Sequence, residues 1–139
     1  MNKDGPVIII YDDASSQKLL FEVFVKLEYS NEILFFFDID KALDYLEKDN
    51  RIPFLFFLEV NLHLSDRLLF KIKQQKNAAL QTVPYLFFSQ SYDHQVVTHA
   101  HKSNNQGYFI MNDLEDTVEV VTVIFEYWKR NISPTNSSF

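Results

Sequence analysis

Five short apolar runs punctuate the chain, and each breaks off into polar residues. Val7–Ile10 runs into Tyr11-Asp12-Asp13, Ile33–Phe37 into Asp38, and Phe54-Leu55-Phe56-Phe57-Leu58 into Glu59. Tyr85–Phe88 ends at Ser89, and Tyr108–Ile110 ends at Met111-Asn112. Uninterrupted apolar runs rich in Val, Ile and Phe suit strands covered on both faces of a parallel sheet. Between them lie segments with helical spacing. Residues 15–28 carry Leu20, Phe24 and Leu27 on one stripe, with Asp13 or Ser15 as cap. Residues 40–48 repeat the pattern with Ala42, Leu43 and Leu46; residues 65–75 do so with Leu68, Leu69 and Ile72. Residues 93–103 are the weakest helical segment. Residues 114–130 are the longest, led by Glu115 and Asp116 and closed by Lys129-Arg130, the charge order a helix dipole favours. Strand and helix alternate along the whole chain with short connections, which predicts an α/β domain with a parallel sheet and helices on both faces.

In open sheets of this kind ligands sit just beyond the carboxyl ends of the strands. The candidate site is therefore Asp12, Asp13, Glu59 and Ser89. At 139 residues the chain makes one domain with a sizeable core, and no internal repeat or linker divides it. A short lead (1–5), a domain (6–130) and a loose Ser/Asn/Pro-rich tail (131–139) are expected. Fourteen Phe and two Gly point to an aromatic core and few glycine-dependent turns. The formal charge of −6, with no Lys/Arg stripe, argues against nucleic acid as a partner. The apolar runs are too short to span a membrane, and the first residues do not read as a signal peptide. With no cysteine as well, a cytoplasmic protein is the expectation.

These residues, in this order, resemble a response-regulator receiver domain. Asp12-Asp13 follows the first strand as the acidic pair. Glu59-Val60-Asn61-Leu62 stands where the family has Asp-x-Asn-x, and Asp66 matches an acid in the loop beyond. Ser89 matches the Ser or Thr ending the fourth strand, and Tyr108 the aromatic switch position. The resemblance covers residues 6–130. It implies the doubly wound, five-stranded, flavodoxin-like fold with strand order 2-1-3-4-5, and a role in two-component phosphorelay signalling. In the family a carboxylate takes a phosphoryl group from a phosphohistidine. Mg²⁺ and a lysine neutralise the transferred charge, and the hydroxyl and the aromatic then rearrange.

Two departures change what is expected. Glu59 occupies the phosphoacceptor position, moving the carboxylate by about 1.5 Å. Met111-Asn112 replaces the family's Lys-Pro, removing the cation. Together they argue against ordinary phosphotransfer, although Arg67 could partly stand in for the lysine. The expectation is an atypical, non-enzymatic, stand-alone receiver that works through protein contacts. An alternative keeps Mg²⁺ binding and weak phosphorylation by a histidine kinase or phosphotransfer domain; a third reading is a Mg²⁺-dependent phosphohydrolase. No cofactor is required, and a weak Mg²⁺ site of Asp12, Asp13, Glu59 and Asn61 is left open. Without a cation, one of those close carboxylates should titrate high. Glu59 is either a mimic of the phosphorylated state bonded to Ser89 or a degenerate remnant turned to solvent, and Met111 favours the remnant. The four histidines, His63, His94, His99 and His101, lack the spacing of a zinc site. The expected partners are a histidine kinase or another signalling protein, with a homodimer through the faces of the fourth and fifth predicted helices.

Overall fold

A computed structural model describes residues 2–49, 51–59, 80, 82–90 and 107–131. The elements follow the apolar runs: β1 (Val7–Ile10), α1 (Ala14–Leu27), β2 (Ile33–Phe36), α2 (Ile39–Asp49), β3 (Leu55–Glu59), β4 (Tyr85–Ser89), β5 (Tyr108–Ile110) and α3 (Leu114–Arg130). The strands form one parallel sheet in the order β2-β1-β3-β4-β5. This is the parallel sheet expected from the alternation, in the doubly wound order that the receiver resemblance implies. The predicted helical segments 65–75 and 93–103 lie outside the described residues.

Side chains on a strand alternate between faces, so each central strand feeds two cores. Ile8 and Ile10 of β1, Phe56 and Leu58 of β3, and Phe87 of β4 pack with Ile39, Ala42, Leu43 and Leu46 of α2. Val7 and Ile9, Leu55 and Phe57, and Leu86 and Phe88 point to the opposite face, against Leu20, Val23 and Phe24 of α1 and Val121, Ile124 and Phe125 of α3. Covering both faces is what permits β1, and β3 up to Glu59, to be apolar throughout, and every residue of both strands is buried. The outer strands β2 and β5 are half-buried along their length. Phe37, expected from its apolar character to extend the second strand, lies one residue past its end and is 64% exposed.

Aromatic packing knits α1, α3 and the sheet together. The Phe125 ring meets Phe24 and Phe54 edge-on at 5.7 and 5.6 Å and stacks on Tyr29 at 4.1 Å, geometries that suit the ring quadrupole. At the amino-terminal edge of the sheet, buried Asn31 donates to the carbonyls of Lys3 and Gly5. The Lys129 ammonium donates to Asn31 Oδ1 and the Lys3 carbonyl, and lies 4.9 Å above the Phe54 ring. This polar set ties the end of α3 to the start of the chain. α1 ends on Glu28 in the left-handed region (φ 54°), where its N–H still reaches the Phe24 carbonyl. Among the described residues no helix is long and apolar enough to cross a membrane.

Phe125→Ala removes three ring contacts at once from a fully packed site. It is expected to destabilise the protein by about 3–5 kcal/mol in urea unfolding.

Candidate functional site

The register of the sheet assembles the site. Ile10 is paired with Leu58, so Tyr11 and Glu59, one residue further along, leave the carboxyl edge side by side. β4 lies next to β3, with Glu59 paired to Phe88, and this brings Ser89 and Gln90 to the same edge. The turn after β1 carries Asp12 and Asp13, both exposed.

Glu59 is buried, at 7% exposure. Its Oε1 accepts hydrogen bonds from the backbone N–H groups of Asp12 at 2.7 Å and Asp13 at 3.0 Å. Its Oε2 accepts from the Ser16 hydroxyl at 2.6 Å, and Ser16 is itself buried. Gln90 completes the chain of contacts, its Nε2 donating to Ser15 Oγ at 2.7 Å and to Ser16 Oγ at 2.5 Å. The carboxylate therefore occupies the place an anion takes at the head of a helix, held by turn N–H groups that have no partner within the helix. The additional methylene of glutamate contributes the reach.

Neither expectation for Glu59 survives intact. A remnant turned to solvent is excluded by its burial and three hydrogen bonds. The mimic was expected to bond Ser89, but Ser89 Oγ instead lies 2.6 Å from Tyr108 Oη. Tyr108 is half-buried and packs against the core on the α2 side.

Asp13 caps α1, its Oδ1 accepting from the N–H and the hydroxyl of Ser15, both at 2.9 Å. The hydrogen bonds from the Ser15 backbone and side chain hold its pKa below the ordinary 3.8. A depressed carboxylate stabilises the fold above the usual aspartate range, and this contribution is lost as pH falls through the lowered value.

Met111, at the position of the missing cation, is 1% exposed and belongs to the core beneath α1 and α3. Its N–H donates to the Ser89 carbonyl at 2.9 Å. Beyond it, Asn112 Nδ2 donates to Asp116 at 3.2 Å and Asp113 caps α3. Asn61, Asp66 and Arg67, and all four histidines, lie outside the described residues.

No family model matches the chain, and no curated protein sequence does. Solved structures do. The red-light-signalling response regulator RPA3017 of R. palustris superposes with a TM-score of 0.77 at 19% identity, over 93% of this chain and 96% of that one. The phosphorylated cyanobacterial phytochrome response regulator RcpA gives 0.73 at 20%, over 92% and 96%. The Mn²⁺-bound form of the response regulator Rcp1 gives 0.68 at 21%, over 91% and 96%. The fold is that of a response-regulator receiver domain.

Within a receiver fold, the acidic pocket is where a divalent ion would be held. The described donors do not fit one. Both oxygens of Glu59 are occupied by N–H and O–H donors, Asp13 is turned to its capping role, and no group of three acidic or histidine side chains among the described residues could hold a metal. Sequence reasoning missed Ser16 and Gln90. Ser16 had a readable signal, being a polar residue four positions before Leu20 on an apolar stripe.

Glu59→Ala leaves two turn N–H groups and a buried hydroxyl without their acceptor. A loss of about 1–3 kcal/mol in chemical unfolding is expected. A glutamate pointing into solvent would change stability by less than about 0.5 kcal/mol.

Proposed function

We propose that this chain is a receiver of the two-component signalling type that acts through protein contacts and carries no phosphoryl group on Glu59. The observation that carries this reading is the engagement of both Glu59 oxygens by the β1–α1 turn and Ser16. Forming an acyl phosphate needs a carboxylate oxygen free for in-line attack and cations to take up the transferred charge. Here the oxygens are bonded inward, and a buried methionine stands where the resemblance places the lysine. The residue that would be the nucleophile acts as a brace.

The relatives of this fold support a role in signalling, with a histidine kinase or another signalling protein as the partner. The surface best suited to a protein contact is an apolar hollow of ≈ 320 Å³ beside the β5 edge, lined by Leu86, Phe109, Val123, Ile124, Tyr127 and Trp128. On the other face of the same strand, Tyr108 bonds Ser89 and so ties β5 to the site. One relative is a Mn²⁺-bound receiver. In this chain both Glu59 oxygens and Asp13 Oδ1 accept hydrogen bonds at the turn, and on this reading function requires no divalent ion.

Incubation with a small phosphodonor and Mg²⁺, followed by intact-mass measurement, is expected to leave the mass unchanged. A stable, stoichiometric gain of one phosphoryl group on Glu59 would overturn the reading. Calorimetric titration with Mg²⁺ or Mn²⁺ is expected to give no saturable binding up to millimolar ion. A saturable site abolished by Asp12→Asn would show that the pocket still holds a metal.

A further inference from the structure

Among the described residues the opposite edge of the sheet is open, β2 pairing with β1 alone. The Glu32 and Phe36 carbonyls accept from Val7 and Tyr11 of the β1 side. By the alternation of a parallel ladder, the backbone groups of Ile33 and Phe35 then face outward. Natural edges are usually blunted by lysine, proline or a bulge, but Ile33-Leu34-Phe35-Phe36-Phe37 contains neither lysine nor proline.

The side chains around this edge are apolar as well. Phe21 and Val25 of α1 are 58% and 60% exposed, and with Phe24, Ile33 and Phe35 they line a hollow of ≈ 200 Å³. Four rings continue the patch toward the carboxyl edge: Phe21 to Phe35 at 6.4 Å, Phe35 to Tyr11 at 6.4 Å, and Tyr11 to exposed Phe37 at 5.6 Å. Contiguous exposed apolar surface of this kind marks an association site.

We propose that two copies of this chain associate through β2, strand against strand and antiparallel, about a two-fold axis at Leu34. The occupant is a second copy because the edge is self-complementary in a register centred on Leu34. Only residues whose backbone groups face outward can exchange hydrogen bonds, so Ile33 pairs with the partner's Phe35, and Phe35 with the partner's Ile33. Leu34 then stands opposite the partner's Leu34 as a non-hydrogen-bonded pair. This register sets Glu32 against the partner's Phe36 and Asp38 against the partner's Ser30. Centring on Phe35 would instead oppose Glu32 and the partner's Asp38, like charges that destabilise a cross-strand pair. Glu32 is also partly neutralised by Arg51 at 2.8 Å. The two-fold brings the α1 helices alongside each other, so that Phe21 and Val25 of each copy cover the other's hollow. An isologous contact of this kind closes at two subunits, joins the sheets into one, and leaves the β5 and α3 surface free for a different protein.

The chain has no cysteine, so single cysteines map the contact cleanly. Sedimentation velocity of the full chain across concentrations is expected to show a monomer–dimer equilibrium. Phe21→Lys and Val25→Lys, both at exposed sites, should each raise the dimer dissociation constant about tenfold or more, since each lost apolar contact counts twice. Tyr127→Lys, on the other exposed patch, should leave it unchanged. A non-hydrogen-bonded antiparallel pair separates its Cα atoms by about 4.5 Å, within disulfide reach. Leu34→Cys should therefore cross-link under mild oxidation while Tyr127→Cys does not. A chain that stays monomeric at every concentration overturns the proposal. So does a dimer abolished by Tyr127→Lys but indifferent to Phe21→Lys and Val25→Lys. The two lysine variants keep the test open if Leu34→Cys fails to fold.

Discussion

The carboxyl edge of this protein is organised around one carboxylate, that of Glu59, seated at the head of α1. Helix N-termini and the turns that feed them present N–H groups in need of an acceptor and a partial positive charge in need of an anion. Here the anion is supplied from inside the chain, by a residue on a neighbouring strand. Its two oxygens join β3 to the β1–α1 turn and, through Ser16 and Gln90, to the end of β4. Three chain segments that would otherwise be free loop ends are held at fixed separation. The proposed chemical consequence follows from the same contacts, because a carboxylate whose oxygens already accept three hydrogen bonds is a poor nucleophile.

That brace works only because the sheet beneath it is rigid. β1 and β3 are buried on both faces, and their pairing puts Tyr11 and Glu59 next to each other with no freedom to slip. A one-residue shift would turn every side chain of a strand to the opposite core. On the α1 side the aromatic set of Phe24, Phe54, Phe57 and Phe125 fills the layer, with the buried Met111 at its upper end. The position that the receiver resemblance assigns to a cation has been absorbed into the core. A buried methionine where the resemblance places a lysine and the inward seating of Glu59 are consistent features: among the described residues the carboxylate finds its partners in the turn and Ser16.

The sheet's two outer strands differ in what they offer. β5 is bordered by the hollow under α3 and carries Tyr108, which is bonded to Ser89 at the end of β4. β2 pairs with β1 alone among the described residues and is flanked by the exposed rings of Phe21 and Phe37. One edge connects with the site through a hydroxyl pair, and the other is removed from it, so contacts at the two edges are physically separable.

The strands and helices are legible in the chain alone. Apolar runs of the length and composition that a doubly covered sheet demands mark the strands. Among the described residues the bounds of α1 and α3 fall within a residue of those expected, because Asp13 and Asp113 are strong caps followed by amphipathic stripes. The order of acidic, hydroxyl and aromatic residues at strand ends is sufficient to suggest a receiver fold. The direction of Glu59 is not legible, because a glutamate at a strand end can turn to solvent, to a neighbouring hydroxyl or to a turn, and the sequence contains no distance by which to choose. The roles of Ser16 and Gln90 are hidden for the same reason, each lying far along the chain from Glu59. Local pattern, set by period and capping, determines the elements and their order. Which polar groups meet at the carboxyl edge is decided by register and side-chain reach, which exist only once the strands are packed.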